Sequence, residues 1–81
     1  MTPAQRAVAA EMTEGEVELL HALATVGPMG GTFDMAEMHA LAWFVHHGLV
    51  QTEVRPSTMG GVLAWSITAA GREAVAMRRA H

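Results

Sequence analysis

Two runs of alternating side chains on either side of a glycine-rich loop constrain the fold of this chain most. The first run alternates apolar or β-branched residues with polar ones, and comprises Val50, Gln51, Thr52, Glu53, Val54 and Arg55. This period of two is typical of a half-buried strand. A loop over residues 55–61 and a return strand over residues 62–67 complete a hairpin. The apolar faces match in one register, with the opposed pairs Val54–Leu63, Thr52–Trp65 and Val50–Ile67. A slip of one residue would turn Trp65 to the other face.

Four capping residues mark the starts of predicted helices, and they are Thr2, Thr13, Asp34 and Thr68. The first three are followed three residues later by Gln or Glu, which is the pattern of a capping box. These signals predict helices over about residues 3–11, 14–26 and 35–47, and a last helix from residue 69. The first two helices could also run together as one bent helix. Residues 27–31 are interpreted as a break in the chain, and Gly48 as the left-handed residue that ends the central helix.

The length of 81 residues allows one domain, residues 1–81, with a thin core of its own. Cysteine is absent, which excludes disulfides and thiolate zinc sites. Apolar residues make up 51% of the chain, more than so small a core needs, and this favours a homodimer. No segment has the length of a membrane span or the pattern of a signal peptide, so a cytoplasmic protein without membrane contact is expected.

Two short motifs, taken in order, resemble winged-helix proteins of the MarR and PadR type. They are Gly48-Leu49-Val50 before the hairpin and Ile67-Thr68-Ala69-Ala70-Gly71-Arg72 after it. The resemblance covers about residues 34–80. It implies a small winged-helix-like α+β domain with N-terminal helices, a central helix, a two-stranded wing and a C-terminal helix. It also implies DNA binding through a recognition helix and the wing, and the candidate DNA contacts are then Arg55, Arg72, Arg78 and Arg79.

The central helix departs from that family pattern. Only one helix is predicted between Val26 and Gly48, so the helix-turn-helix is truncated or degenerate. At 100° per residue, one side of this helix is expected to face the core, and it carries Met35, Met38, Leu41, Ala42, Val45 and Leu49. The opposite side is apolar too, with Ala36, Ala40, Trp43, Phe44 and His47. No cation stands between Arg6 and Arg55, and the net charge is −3, so DNA binding is disfavoured.

An apolar outer face has two interpretations. Either the N-terminal helix or a second copy of the chain covers it, or it docks a partner protein, since Trp and Phe with a polar rim are typical of interface hot spots. Glu14 and Glu18 lie on an acidic helix side, which is either a solvated face or a surface for a basic partner. The predicted protein-binding or dimer residues are therefore Ala40, Trp43, Phe44, His47, Glu14 and Glu18.

Catalytic and metal chemistry are not expected. His39 and His46 lie on one helix, but no HxxxH or HExxH spacing occurs and the serines lack an elbow motif. No cofactor motif is present.

The sequence therefore predicts a non-catalytic protein-binding domain. One such domain is a phage or mobile-element inhibitor or adaptor that blocks a protein complex, with an anti-CRISPR protein as one example. The alternatives are a small dimeric winged-helix transcription regulator and a dimerisation or scaffold module.

Overall fold

A computed structural model describes residues 1–58 and 60–80 as four helices and a three-stranded antiparallel sheet. The elements are α1 (Pro3–Glu11), α2 (Glu14–Val26), β1 (Met29–Gly30), α3 (Met35–His46), β2 (Val50–Ser57), β3 (Gly60–Ile67) and α4 (Ala69–Arg79). The strand order is β1-β3-β2. The prediction of a small α+β domain is confirmed. The strands extend into the predicted loop as far as Ser57 and Gly60, and Met59 of that loop lies outside the described residues.

The register of the hairpin is the predicted one, since Val50 opposes Ile67, Thr52 opposes Trp65 and Val54 opposes Leu63. A third strand was not predicted, because residues 27–31 were interpreted as a break. Instead β1 pairs with β3, placing Met29 opposite Trp65 and Gly30 opposite Ala64. Two residues are too few to show the alternation by which a strand is recognised.

The helix starts follow the sequence signals. Reciprocal capping boxes join Thr2 to Gln5, Thr13 to Glu16 and Asp34 to Glu37. The backbone at Met12 and Thr13 is extended, so α1 and α2 are separate helices and not one bent helix. The side chain of Met12 is buried at this corner and belongs to the core.

We call the hairpin of β2 and β3 the wing. A compact junction at its base joins the end of α3 to the start of α4, and we call Gly48, Leu49, Thr68 and Gly71 the wing-base junction. The Thr68 N–H donates to the Leu49 carbonyl at 3.0 Å, and the Thr68 hydroxyl donates to the Gly48 carbonyl at 2.7 Å. The same hydroxyl accepts from the Gly71 N–H at 3.1 Å, which caps α4. Gly48 has φ +75°, as predicted for the residue that ends α3. The two motifs of the sequence therefore meet in space.

The core contains residues from every helix and from the base of the wing. Its largest fully buried side chains are Phe44, Leu20, Leu23, Leu41, Leu49 and Val50. The predicted orientation of α3 was wrong in part, since Leu41 and Leu49 are buried as predicted but the other four predicted core residues are exposed. Phe44 is fully buried, whereas Met35, Met38 and Val45 are 72%, 40% and 38% exposed. The observed core side is rotated by about 90° from the predicted one. Apolar residues lie almost all round this helix, so the spacing of apolar residues does not show which side faces the core. Burial of the large phenyl ring of Phe44 determines that side.

The wing extends beyond the helices, and the molecule measures 42 × 22 × 21 Å. Only the base of β2 is covered, because Val50 is 2% exposed and Val54 is 70% exposed. The prediction of a half-buried strand therefore holds at the base of the wing and is wrong in its outer half. Alternation shows which side chains share a face, but it does not show how far the neighbouring helices reach along that face.

We expect Gly71→Ala to destabilise the protein by about 3 kcal/mol, because an added methyl group would overlap the Leu49 carbonyl and the Ile67 side chain. Gly15→Ala is the matched control, since the nearest atom to its methyl group would be the Thr13 hydroxyl at 3.9 Å. This control should be neutral or stabilising by up to about 1 kcal/mol. Urea unfolding monitored by circular dichroism measures both. Equal stability of the two variants would contradict the close packing of the wing-base junction.

Candidate functional site

A groove of about 520 Å³ runs between α2 and α3. Its apolar lining comprises Leu19, Ala22, Met29, Ala36 and Ala40. Its acidic lining comprises Glu16, Glu18, Asp34 and Glu37. An adjoining depression of about 530 Å³ shares Thr13, Glu16, Ala36 and Ala40 with it and adds His39 and Trp43. We call the two together the α2–α3 groove.

The capping boxes of α2 and α3 place carboxylates beside this groove. The Glu16 carboxylate accepts from the Thr13 N–H at 2.8 Å, and the Glu37 carboxylate accepts from the Asp34 N–H at 3.0 Å. The same residues that start the helices therefore give the groove its charge. Each helix N-terminus adds about half a positive charge, which offsets only part of the four carboxylates.

Among residues 1–58 and 60–80, no Lys or Arg side chain lines the α2–α3 groove. Arg79, which does not line the groove, pairs with the lining residue Glu18 at 2.9 Å. The groove consequently combines an apolar lining with a net negative charge. Such a surface favours a ligand that carries apolar and cationic groups together.

Three of the predicted interaction residues, Glu18, Ala40 and Trp43, line the α2–α3 groove. Trp43 is half-buried and packs against the core, with its ring centroid 5.3 Å from that of His47 in an edge-on arrangement. The carbonyl of His47 accepts a hydrogen bond from the Gln5 side chain at 3.0 Å. The side chain of Gln5 in the N-terminal helix α1 thus reaches the C-terminal end of α3. The placement of Phe44 on that face was wrong, since Phe44 belongs to the core.

The predicted acidic side of α2 contacts α4. Glu14 pairs with Arg78 at 3.4 Å, and Glu18 pairs with Arg79 at 2.9 Å. Arg78 also donates to the carbonyls of Ala9 and Met12 at the end of α1. These residues therefore hold three helices together, and of the two acids only Glu18 also lines the groove.

The four arginines that the resemblance suggested as DNA contacts all bond to groups within the chain. Arg55 pairs with Glu53 on the same strand at 3.4 Å. Arg72 donates to the Ala24 carbonyl at 3.4 Å, and Arg78 and Arg79 contact α1 and α2 as described above. Arg55 lies on the wing, whereas the pair Arg78 and Arg79 lies at the end of α4.

A second exposed surface lies on the side of α3 that the sequence predicted to face the core. We call the exposed residues Met35, Met38, Ala42 and Val45 the α3 stripe. They are three, four and three residues apart, which places them on one side of the helix. The signal available in the sequence was the absence of Asp, Glu, Lys and Arg between Glu37 and Glu53.

One ion pair away from the groove lowers the pKa of its carboxyl group. The ammonium group of Met1 lies 2.7 Å from the Glu73 carboxylate and holds the pKa of that exposed carboxyl below its ordinary value. This pair lies between the first residue and α4, not at the groove.

Within residues 1–58 and 60–80, no group of three His, Asp or Glu side chains is arranged to bind a metal ion. None of the described helices has the length and apolar character that crossing a membrane requires.

Comparison of the chain with protein-family models, with curated proteins and with solved structures gives no significant match. The class of protein is therefore defined by the fold, a small α+β domain of four helices and a three-stranded antiparallel sheet.

We expect Phe44→Ala to cost about 3–5 kcal/mol of unfolding free energy, because it leaves a cavity in the core. Trp43→Ala should cost about 2 kcal/mol, since only part of the indole is buried and the rest faces the groove. Urea denaturation of the two variants tests this order. A larger loss for Trp43→Ala would mean that the indole, and not the phenyl ring, is the main anchor of α3.

Proposed function

We propose that this chain is a non-catalytic protein-binding domain whose α2–α3 groove receives a basic segment of a partner protein. The observation that supports this most is the combination in one groove of an apolar lining with four carboxylates, of which only that of Glu18 pairs with an arginine, while no Lys or Arg of the described residues lines the groove. Apolar side chains of the partner fill the groove, and its Lys or Arg side chains meet the acidic residues. Trp43, half-buried at one end, is of the residue type that contributes most to interfaces.

The chemistry of the groove disfavours nucleic acid as the ligand. Phosphate groups would meet Glu16, Asp34 and Glu37, and no lining Lys or Arg offsets that repulsion. An amphipathic peptide satisfies both parts of the surface, since it carries apolar anchors on one side and cations beside them. The alternative from the winged-helix resemblance, a dimeric DNA-binding regulator, would have to use arginines that already bond within the chain.

In the cell, a domain of this kind acts by covering the basic surface of a larger complex. The small size, the net charge of −3 and a central helix without cations suit an inhibitor or adaptor from a phage or mobile element, with an anti-CRISPR protein as one example. Such an inhibitor needs no catalytic group, because occupying the partner's surface is sufficient.

The first test is fluorescence anisotropy with a labelled amphipathic peptide of Leu and Lys, and with the same peptide carrying Glu in place of Lys. We expect the Lys peptide to bind with a Kd of about 1–100 µM and the Glu peptide to show no binding. Ala36→Lys, which puts a cation into the groove, should weaken binding of the Lys peptide at least about tenfold.

Ala4→Lys is the matched control, because Ala4 and Ala36 are both exposed and both the second residue of their helices. It should change the affinity by less than about twofold. Equal weakening by the two variants would show that the peptide senses only the net charge, and the groove would not be its site. The same measurement with duplex DNA at about 50 and about 200 mM salt tests the alternative function. Binding to DNA that weakens at the higher salt concentration would support a DNA-binding transcription regulator instead.

A further inference from the structure

The α3 stripe is a set of exposed apolar side chains that lie along one helix. The other exposed large apolar side chains of the described residues are Val26 at the end of α2 and Val54, Val62 and Leu63 on the β2–β3 hairpin. Met35 is 72% exposed, Met38 is 40% exposed and Val45 is 38% exposed, with the small exposed Ala42 between the last two. Methionine side chains are flexible and polarisable, which makes them frequent in binding surfaces. Exposed apolar residues aligned along one helix are typical of an interaction surface.

The spacing of the α3 stripe is symmetrical along the chain. The intervals of three, four and three residues read the same in both directions, about a midpoint at residue 40. When two such helices pack antiparallel about a two-fold axis at that midpoint, Met35 faces Val45 of the other copy and Met38 faces Ala42. Each large methionine then meets a smaller side chain, so the helices can approach closely.

The lack of charge on this surface allows a second copy of the chain to cover it. Two copies of a chain with a net charge of −3 repel each other, and an isologous contact brings each charged group near its own copy. The chain carries no Asp, Glu, Lys or Arg between Glu37 and Glu53, a span that contains most of the α3 stripe. This surface can therefore meet itself without burying like charges.

We infer that a second copy of this chain covers the α3 stripe, giving a homodimer with an antiparallel pair of α3 helices. The α2–α3 groove stays open in this dimer. Its residues Ala36, Ala40 and Trp43 lie on a side of α3 turned by roughly 150° from the α3 stripe. His39, at the edge of the groove, is turned by roughly 80° from the α3 stripe. The dimer therefore presents two grooves, and it does not depend on what the grooves bind.

Sedimentation velocity from about 1 µM to about 1 mM protein tests the association, and we expect a monomer–dimer equilibrium with a Kd of about 1–100 µM. Ala42→Glu should raise the Kd at least about tenfold, because it adds a charge next to the two-fold axis. Ala76→Glu is the matched control, an exposed alanine within the helix α4, and should leave the Kd within about twofold. A monomer at all concentrations, or an equal effect of the two variants, would overturn the inference.

The absence of cysteine allows a second test that reports the direction of the helices. Met38→Cys protein mixed with Ala42→Cys protein should form a disulfide-linked dimer faster than either variant alone, since these positions face each other in the antiparallel pair. Ala76→Cys gives the rate of random collision. Faster linkage of Met38→Cys with itself would indicate parallel helices, and linkage at the rate of the control would place the contact elsewhere. Both results overturn the inference and leave the peptide-binding test unaffected.

Discussion

The architecture depends on the close approach of two backbone segments at the wing-base junction, the end of α3 and the start of α4. Because Gly71 has no side chain, the start of α4 can lie against the Leu49 carbonyl, where any Cβ atom would overlap it. Thr68 joins both sides, donating from its backbone and its hydroxyl to the carbonyls of Leu49 and Gly48. This one contact fixes where α3 ends, where the wing begins and in which direction α4 returns towards α1 and α2.

The position of α3 follows from that junction, and it gives this helix three different surroundings. Leu41 and Phe44 enter the core, Ala40 and Trp43 line the α2–α3 groove, and the α3 stripe faces solvent. A helix that is apolar on nearly every side is normally buried on every side. Here two of the three sides remain partly or wholly open, which is why both proposed interactions involve α3.

Charged residues mainly join elements of this fold to one another. Arg78 reaches the carbonyls at the end of α1 and pairs with Glu14, and Arg79 pairs with Glu18. These ion pairs are largely exposed and contribute little stability each, but they occupy the cations that a DNA-binding surface would need. The carboxylates beside the groove belong to capping boxes, so helix initiation and the proposed binding of a basic segment depend on the same side chains.

The sequence by itself determined what depends on neighbours along the chain. The helix starts at Thr2, Thr13 and Asp34 and the register of the hairpin are local patterns of hydrogen bonding and alternation, and the structure confirms them. Only the tertiary structure decided the rotation of α3, the pairing of β1 with β3 and the groove between α2 and α3. The physical reason is that burial is a property of several elements together. Where a helix is apolar almost all round, the surface that its neighbours cover selects which side becomes core.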